Sequence, residues 1–499
     1  MKSLINKRNL LIILITFIFL FLTHLPLITK NILSADILLN NVFYNGYSWE
    51  ISLGRFGLYV VGLLKCFLTI PHIDILISYF IISISLVILF DLFSFRKKED
   101  IILYILIICL NPITSATLLF NYCSIGYTLA FLCSILSIYV YYKEENKIKK
   151  YLFSLILIVV ALSMYQAYLS VIVTTFIIYN IKLLLEKKEN FKLSLKYILT
   201  LLMGAILYFI IMKISLLVFH VNMSNYSGAD KIGLQTLLSI PKKIGLSYKL
   251  FYEYYFTDKI VKNIYIKNNI LNIGILHQLA NQLWLNIFLL ILLIIGVVFK
   301  IFKNNLSPKK KVLTLLLVLA LPIFLNSIIF TINDTKLQLL MSASYLLIPL
   351  LLITTMPENK MKYLSIIVII LLLRNNLIQT QATYLSLENT FNKYNTVITS
   401  AIKENINHQN YKFALIGSTK NETEINKLNY GFISDDAIFW EEYNLKKLGF
   451  ERFCYEYYGL NLTFVSEEDY DKIKQRENKN QEIIYTYDDI IVIDLSYLH

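Results

Sequence analysis

Long apolar segments recur along most of this 499-residue chain, and they constrain its fold more than any other feature. A bilayer core about 30 Å thick is crossed by a helix of roughly 20 apolar residues. Hydrophobic residues make up 57% of the chain and charged residues 16%, so we predict an all-α polytopic membrane protein with about eleven transmembrane helices. The predicted crossings are 10–28, 73–94, 101–119, 125–142, 151–164, 168–185, 195–219, 284–302, 312–330, 337–355 and 363–378.

Lysine and arginine cluster in alternate loops between these segments, and the clusters predict the orientation. Cytoplasmic loops carry an excess of basic residues, which places the N-terminus in the cytoplasm and, after an odd number of crossings, the C-terminal part outside. These loops also explain the net charge of +13, so we expect a lipid bilayer and no nucleic acid as partner. The clusters are Lys2, Lys7 and Arg8; Arg96, Lys97 and Lys98; Lys147, Lys149 and Lys150; Lys187, Lys188 and Lys192; Lys309, Lys310 and Lys311; and Lys360 and Lys362.

Residues 55–72 are also apolar, but Lys65 interrupts them. A crossing here would move the basic cluster at 96–98 to the outer side, so we predict a helix lying in the outer interface. Two long external loops then result, at 29–72 and 220–283.

The polar C-terminal part predicts a second domain. A transmembrane domain at 1–378 is followed by an extracytoplasmic domain at 379–499, which begins with a helix-like stretch up to 406. Strand-like runs then predict a small α/β fold. These runs are 413–416, 462–465 and 490–495.

The first external loop gathers side chains that could carry chemistry. Asp36 is followed by Tyr44-Asn-Gly-Tyr-Ser-Trp49-Glu50 and then by Arg55. A carboxylate supplies a general base, aromatic rings stack on sugars, and arginine pairs with phosphate. The alternative is structural, because Tyr and Trp are enriched at membrane interfaces. The five cysteines show no metal-ligand spacing, so we predict no metal site and no cofactor.

With Asp36 ahead of it, YNGYSWEISLGRFG at 44–57 resembles the first loop of the bacterial O-antigen glucosyltransferase type II family, as does SMYQAYLS at 163–170. The stretch from 383 to 406, leading into 413–417, is similar to that family's segment after the last helix. The resemblance implies a GT-C type fold in the bacterial cytoplasmic (inner) membrane. It also implies transfer of a hexose, glucose by the family's name, from a polyprenyl-phosphate donor to a cell-surface glycan or lipid-linked acceptor on the outer face.

The resemblance further implies that an acid of the first loop is the catalytic base, and Asp36 is the matching residue. Relatives carry an acidic pair where this chain has Ala35-Asp36, so a divalent metal would be poorly supplied. Our mechanistic hypothesis is a single displacement with inversion, in which arginines bind the donor phosphate. The assigned residues are Arg55 and Arg374 for phosphate, and Tyr47, Trp49, Glu50, Tyr165 and Gln166 for sugar and acceptor.

Several assignments have structural alternatives. Tyr47 and Trp49 could be interface anchors, Arg374 could extend to the headgroups, and Gln166 could join helices. Two other functions also stay open. The lysine-rich loop 220–283 suits a polyprenol-linked glycan polymerase or ligase, and a lipid-linked sugar transporter or flippase would also have many crossings.

Overall fold

A computed structural model shows a helical bundle followed by a small sheet. It describes residues 6–30, 32, 47–225, 239–256, 282–332, 337–356, 360–405, 412–417, 443–475 and 482–495. The helices of the bundle are α1 (Lys7–Thr23), α2 (Pro26–Thr29), α3 (Tyr47–Ser52), α4 (Phe56–Leu64), α5 (Pro71–Leu92), α6 (Lys98–Leu110), α7 (Pro112–Leu119), α8 (Asn121–Lys143), α9 (Lys147–Met164), α10 (Leu169–Leu185), α11 (Phe191–Val218), α12 (Ile240–Phe256), α13 (Gln282–Lys303), α14 (Pro308–Leu319), α15 (Leu321–Leu325), α16 (Ile348–Thr355) and α17 (Lys360–Asn405).

Each of the predicted crossings coincides with helix, but the structure supports a smaller number of complete spans. Among the described residues, 6 helices are long and apolar enough to cross a membrane, or up to 7 if the bent pair α6–α7 is one span. α1 has only 17 residues, and the first turns of α9 carry three lysines. The segment 312–330 is broken at Ala320, between α14 and α15. About eleven crossings therefore stays a prediction.

Two breaks in the bundle follow from local chemistry. α6 ends at Asn111, whose side chain caps α7 through the Ile113 N–H, and the axis bends by 49° because Pro112 cannot continue a helix. α9 ends where Tyr165 adopts an extended conformation, and a 3-10 turn at Gln166–Tyr168 then leads into α10. The predicted division of this apolar stretch at Tyr165-Gln166 is confirmed.

The segment predicted to lie along the interface contains only a short helix. α4 has nine residues, which at 1.5 Å per residue reach about 14 Å, too short to cross a bilayer. It packs against α8 and α9. Close packing is possible because Gly57 lies against Ser163, and a Cβ at Gly57 would come within 2.4 Å of the Ser163 hydroxyl.

The lysine- and arginine-rich turns contact one another at one end of the bundle. The basic turns are therefore on the same end of the bundle, which is the arrangement that the predicted orientation implies. α8 packs along both α5 and α9, and its basic C-terminal end lies with these turns. Which side of a membrane this end faces stays a prediction. The contacts join Arg8 to Phe95, Lys143 to Asp91, Lys362 to Asp100 and Lys310 to Glu189.

The long helix α17 connects the bundle to the C-terminal sheet without a break at the predicted domain boundary of 378/379. In the bundle, His24 hydrogen-bonds the Tyr384 hydroxyl at 2.6 Å and the Cys109 carbonyl oxygen at 2.9 Å. Further along, Phe391 and Val397 pack in the core beneath the sheet. The division into two domains stays a prediction.

The sheet has the strands β1 (Lys412–Ile416), β2 (Thr463–Phe464), β3 (Ile484–Tyr487) and β4 (Ile490–Asp494) in the order β2-β1-β4-β3. β1 is parallel to both β2 and β4, whereas β3 pairs antiparallel to β4. Helices α18 (Tyr443–Tyr458) and α19 (Glu467–Lys474) cover opposite faces. The small α/β fold is confirmed, and β3 is the strand that the sequence analysis missed.

Candidate active site

Arg55 follows a tight turn at the end of α3. The turn requires Gly54, whose φ is +79°, because residues with a Cβ are strained in the left-handed region. The Arg55 N–H donates to the Glu50 carbonyl oxygen at 2.7 Å, and its guanidinium Nη1 donates to the Glu50 carboxylate at 3.3 Å. Arg55, predicted to bind phosphate, and Glu50, predicted to bind the sugar or acceptor, thus form one ion pair. Their side chains are 14% and 4% exposed, respectively.

The Arg55 guanidinium lies over the ring of Tyr165, which in turn packs against Tyr127. Its central carbon is 4.6 Å from the centroid of the Tyr165 ring, within the range of a cation–π contact. The Tyr165 ring lies 4.7 Å from the ring of Tyr127 on α8. The sequence analysis singled out Arg55 and Tyr165 separately, and the structure brings them together.

One hydrogen-bond donor of Arg55 is buried and unused. Among the described residues, its Nε has no hydrogen-bond acceptor, and leaving a buried N–H unpaired costs roughly 1–3 kcal/mol. Burial alone would lower the pKa of Arg55, but the neighbouring Tyr127, Glu50 and Tyr165 hold the pKa well above its ordinary value. The group is therefore a permanent cation with a free N–H, which an anionic oxygen could satisfy.

Gln166 holds the turn in place. Its amide Nε2 donates to the Leu53 carbonyl oxygen at 2.6 Å and to the Tyr208 hydroxyl at 2.8 Å. The Tyr208 hydroxyl in turn donates to the Gly54 carbonyl oxygen at 3.1 Å. The Gln166 amide nitrogen thus hydrogen-bonds other residues of the protein. This is the structural alternative given in the sequence analysis, in which Gln166 joins helices.

The remaining predicted site residues are less closely associated. Trp49 is 54% exposed, one residue from the buried Glu50. Arg374 lies exposed on α17, and no described contact joins it to the Arg55 turn. Asp36, the predicted base, lies outside the described residues, as does the side chain of Tyr47.

A second buried ion pair, beside the first turn of α8, was missed. Lys65 Nζ is 2.6 Å from the Asp74 carboxylate, with 14% and 5% of their side chains exposed. Lys65 also donates to the Tyr122 carbonyl oxygen at 3.4 Å, in the first turn of α8 and about one helical turn from Tyr127. The sequence did contain a signal for this pair. Lys65 interrupts an apolar stretch, and Asp74 follows nine residues later in the first turn of α5.

The described residues offer no candidate metal centre. No group of three or more His, Cys, Asp or Glu side chains comes together in the part of the chain that the structure describes. None of the five cysteines forms a disulfide, and among them Cys66 is exposed while the other four are buried. The Arg55 turn itself is a cation-and-aromatic site, in which Arg55 is paired with Glu50 and its Nε has no acceptor among the described residues.

Comparison with protein-family models identifies the family of this chain. A family model described as "Glucosyl transferase GtrII" matches residues 25–355. The chain belongs to this glucosyl transferase family. The matched range includes the Arg55 turn, Tyr165, Gln166 and Tyr208, whereas all of α17 and the C-terminal sheet lie beyond it. No curated protein and no solved structure matches the chain significantly. Family membership indicates a glycosyltransferase, and the long apolar helices suggest a membrane protein.

Proposed function

We propose that this glucosyltransferase takes its hexose from a polyprenyl-phosphate donor and transfers it, with inversion, to a cell-surface glycan or lipid-linked acceptor. The observation that carries the proposal is the buried Arg55, stacked on Tyr165 with its Nε unpaired among the described residues. A planar guanidinium suits a phosphodiester. An apolar helix surface beside it would accommodate a prenyl chain, since the bundle is built from helices of membrane length.

The reaction that we propose is a single displacement. Asp36 accepts the proton of an acceptor hydroxyl while that oxygen attacks the anomeric carbon from the face opposite the phosphate. The bond from the anomeric carbon to the phosphate oxygen breaks, and polyprenyl phosphate leaves with the electron pair. Arg55 stabilises the charge that develops on the leaving phosphate. No metal ion or other cofactor is required in this scheme.

The other assigned residues support this step. Glu50 orients the guanidinium of Arg55 through the 3.3 Å contact, and Gln166 and Tyr208 fix the turn that carries it. Tyr165 forms the stacking surface for the cation. We propose Trp49 and Tyr47 as the platform on which the transferred sugar rests, and we assign Arg374 to the phosphate region.

We also propose that this chemistry takes place on the outer face of a bacterial inner membrane. The Arg55 turn lies at the N-terminal end of α8, whereas the basic turns lie at its C-terminal end near Lys143. The positive-inside rule places the basic end in the cytoplasm. The N-terminus is then cytoplasmic and the C-terminal domain extracytoplasmic.

A panel of donors tests the proposed activity. Purified protein in sealed vesicles is given polyprenyl-phosphate hexoses or nucleotide hexoses, and the anomeric configuration of the product is read by NMR. We expect turnover of the lipid-linked donor only, inversion, no loss with a chelator, and consumption of donor from the predicted outer side. Turnover of nucleotide sugars would refute the donor class. Polymer-length products would favour a polymerase, and donor translocation without transfer would favour a flippase.

A further inference from the structure

Tyr127 packs against Tyr165 in the Arg55 site. It lies in the second turn of α8, and the residue is 2% exposed. Its ring centroid is 4.7 Å from that of Tyr165, over which the Arg55 guanidinium lies. Tyr127 is therefore part of the same buried cluster of aromatic rings and cation.

Close helix packing brings the phenol of Tyr127 near the Arg55 guanidinium. The neighbouring Gly126 lets α4 approach α8, because a Cβ at this position would collide with the Leu58 side chain, and Arg55 directly precedes α4. Burial would lower the pKa of Arg55, and Tyr127 and Glu50 are the two groups that counteract it most. An electrostatic effect comparable with that of the Glu50 carboxylate requires the Tyr127 hydroxyl to lie close to the cation.

The Tyr127 hydroxyl makes no hydrogen bond with any residue that the structure describes. The hydroxyl of Tyr208, in the same site, bonds both the Gly54 carbonyl oxygen and the Gln166 amide. Most buried hydroxyls are paired in this way, and an unpaired one is costly. A phenylalanine would supply the same ring contact without that cost, so packing alone does not account for the hydroxyl.

Two unused donors thus belong to one buried cluster, the Tyr127 hydroxyl and the Arg55 Nε. Glu50 already offsets the charge of Arg55, so hydrogen-bond donors, more than net charge, must select the ligand. A phosphate offers several anionic oxygens as acceptors, and its hydrogen bonds to such donors are among the strong ones.

We propose that Tyr127 is a second phosphate-binding residue, whose hydroxyl donates to an oxygen of the phosphate that Arg55 binds. The inference rests on the proposed function for the identity of this phosphate, which links the hexose to the polyprenyl chain. No bond to Tyr127 forms or breaks during transfer, and the phenol keeps its proton. As the bond from the anomeric carbon to the phosphate oxygen breaks, negative charge grows on the phosphate and the hydrogen bond strengthens.

Two matched substitutions on α8 separate binding from structure. Tyr127→Phe removes the hydroxyl and keeps the ring against Tyr165, so it should leave the melting temperature unchanged or raise it. The same change should lower kcat/KM for a polyprenyl-phosphate hexose about tenfold, as for one lost hydrogen bond to a charged group. Tyr141 is also fully buried, but its hydroxyl donates to the Leu193 carbonyl oxygen at 3.0 Å. Tyr141→Phe should therefore lower the melting temperature and leave kcat/KM unchanged.

Direct binding tests the phosphate contact without requiring turnover. The full chain in nanodiscs is titrated with farnesyl phosphate, farnesol and inorganic phosphate by isothermal titration calorimetry. We expect farnesyl phosphate to bind most tightly and Tyr127→Phe to weaken its binding about tenfold, while Tyr141→Phe binds it like wild type. Farnesol, which lacks the phosphate, should bind wild type and Tyr127→Phe equally. Inorganic phosphate that binds as tightly as farnesyl phosphate would overturn the assignment to a lipid-linked phosphate.

Equal kcat/KM and equal farnesyl phosphate affinity in wild type and Tyr127→Phe would overturn the proposal. A lower melting temperature of Tyr127→Phe with unchanged kinetics would do the same, because the hydroxyl would then serve a protein partner. Transfer that is independent of Tyr127 refutes this inference alone. Farnesyl phosphate binding that depends on Tyr127, without turnover of any donor, refutes the proposed function and leaves the phosphate site standing.

Discussion

Gly54 occupies a backbone conformation and a space that favour glycine alone. Its φ is +79°, and a Cβ added there would come within 2.8 Å of Met212 Sδ, 2.8 Å of the Tyr208 hydroxyl and 2.9 Å of Gln166 Nε2. Gly54→Ala should therefore destabilise the turn in two ways. The left-handed conformation costs about 1–2 kcal/mol with a Cβ, and displacement of Gln166 and Tyr208 loses hydrogen bonds worth about 1 kcal/mol each.

The expected loss is about 3 kcal/mol of unfolding free energy, together with reduced glycosyl transfer because Arg55 is carried by the same turn. Thermal unfolding of the purified protein and initial transfer rates measure the two effects. Gly245→Ala is the matched control, since a Cβ on this glycine of α12 would meet nothing within 4 Å, and we expect it to be neutral or stabilising by up to about 1 kcal/mol. If Gly54→Ala unfolds and transfers like Gly245→Ala, the account of the turn is wrong.

Three further predictions concern charged groups. Lys65→Met should lower the free energy of unfolding by about 3–5 kcal/mol, because it leaves Asp74 buried without its partner. In a double-mutant cycle, adding Asp74→Leu should recover most of that stability. Additive effects of the two substitutions would contradict the pairing. Arg55→Lys keeps a charge beside Glu50 but loses the planar guanidinium that lies over the Tyr165 ring. The donor KM should therefore rise about tenfold with a smaller change in kcat. An unchanged donor KM would count against the phosphate assignment. Burial raises the pKa of Glu451, which makes its charged form unfavourable in the folded chain, so at pH 7 Glu451→Gln should raise the melting temperature. Ser466 and Lys472 lower the pKa of Asp469, which makes its charged form favourable, so at pH 7 Asp469→Asn should lower the melting temperature. The Glu451 difference should disappear once the pH falls below the unfolded-state pKa of glutamate, about 4.3, because this carboxyl is then protonated in both states. The Asp469 difference should decline only below the ordinary pKa of aspartate, about 3.9, and vanish below the lowered pKa of Asp469 in the folded chain. Differences that persist at still lower pH would have another cause.

Features fixed by neighbouring residues could be predicted from the sequence. The extended Tyr165 breaks its helix between the predicted crossings 151–164 and 168–185. Pro112 bends the predicted crossing 101–119 by 49° within its length. The strand β3 was missed although all four residues of Ile484–Tyr487 favour strands. A turn follows at Asp488, whose φ is +50°. Its partner β4 was found because it is a continuous apolar run, the stronger of the two signals.

Features that depend on distant contacts could not be predicted. Arg55 and Tyr165 were both singled out, but nothing in their own segments shows that they meet. Tyr208 likewise reaches Gly54 from 154 residues away. Tyr208 and Asp74 were overlooked because each lies within an apolar segment that reads as a crossing. Their roles follow only from the packing of α11 and α5 against the first-loop helices.

The role of Asp36 is tested most directly by transfer from a polyprenyl-phosphate hexose in wild type, Asp36→Asn and the control Asp334→Asn, each shown to be folded. The account predicts that Asp36→Asn abolishes transfer, while Asp334→Asn, in another loop predicted to be external, transfers like wild type. Transfer by Asp36→Asn at the wild-type rate would contradict the account and remove Asp36 from the reaction.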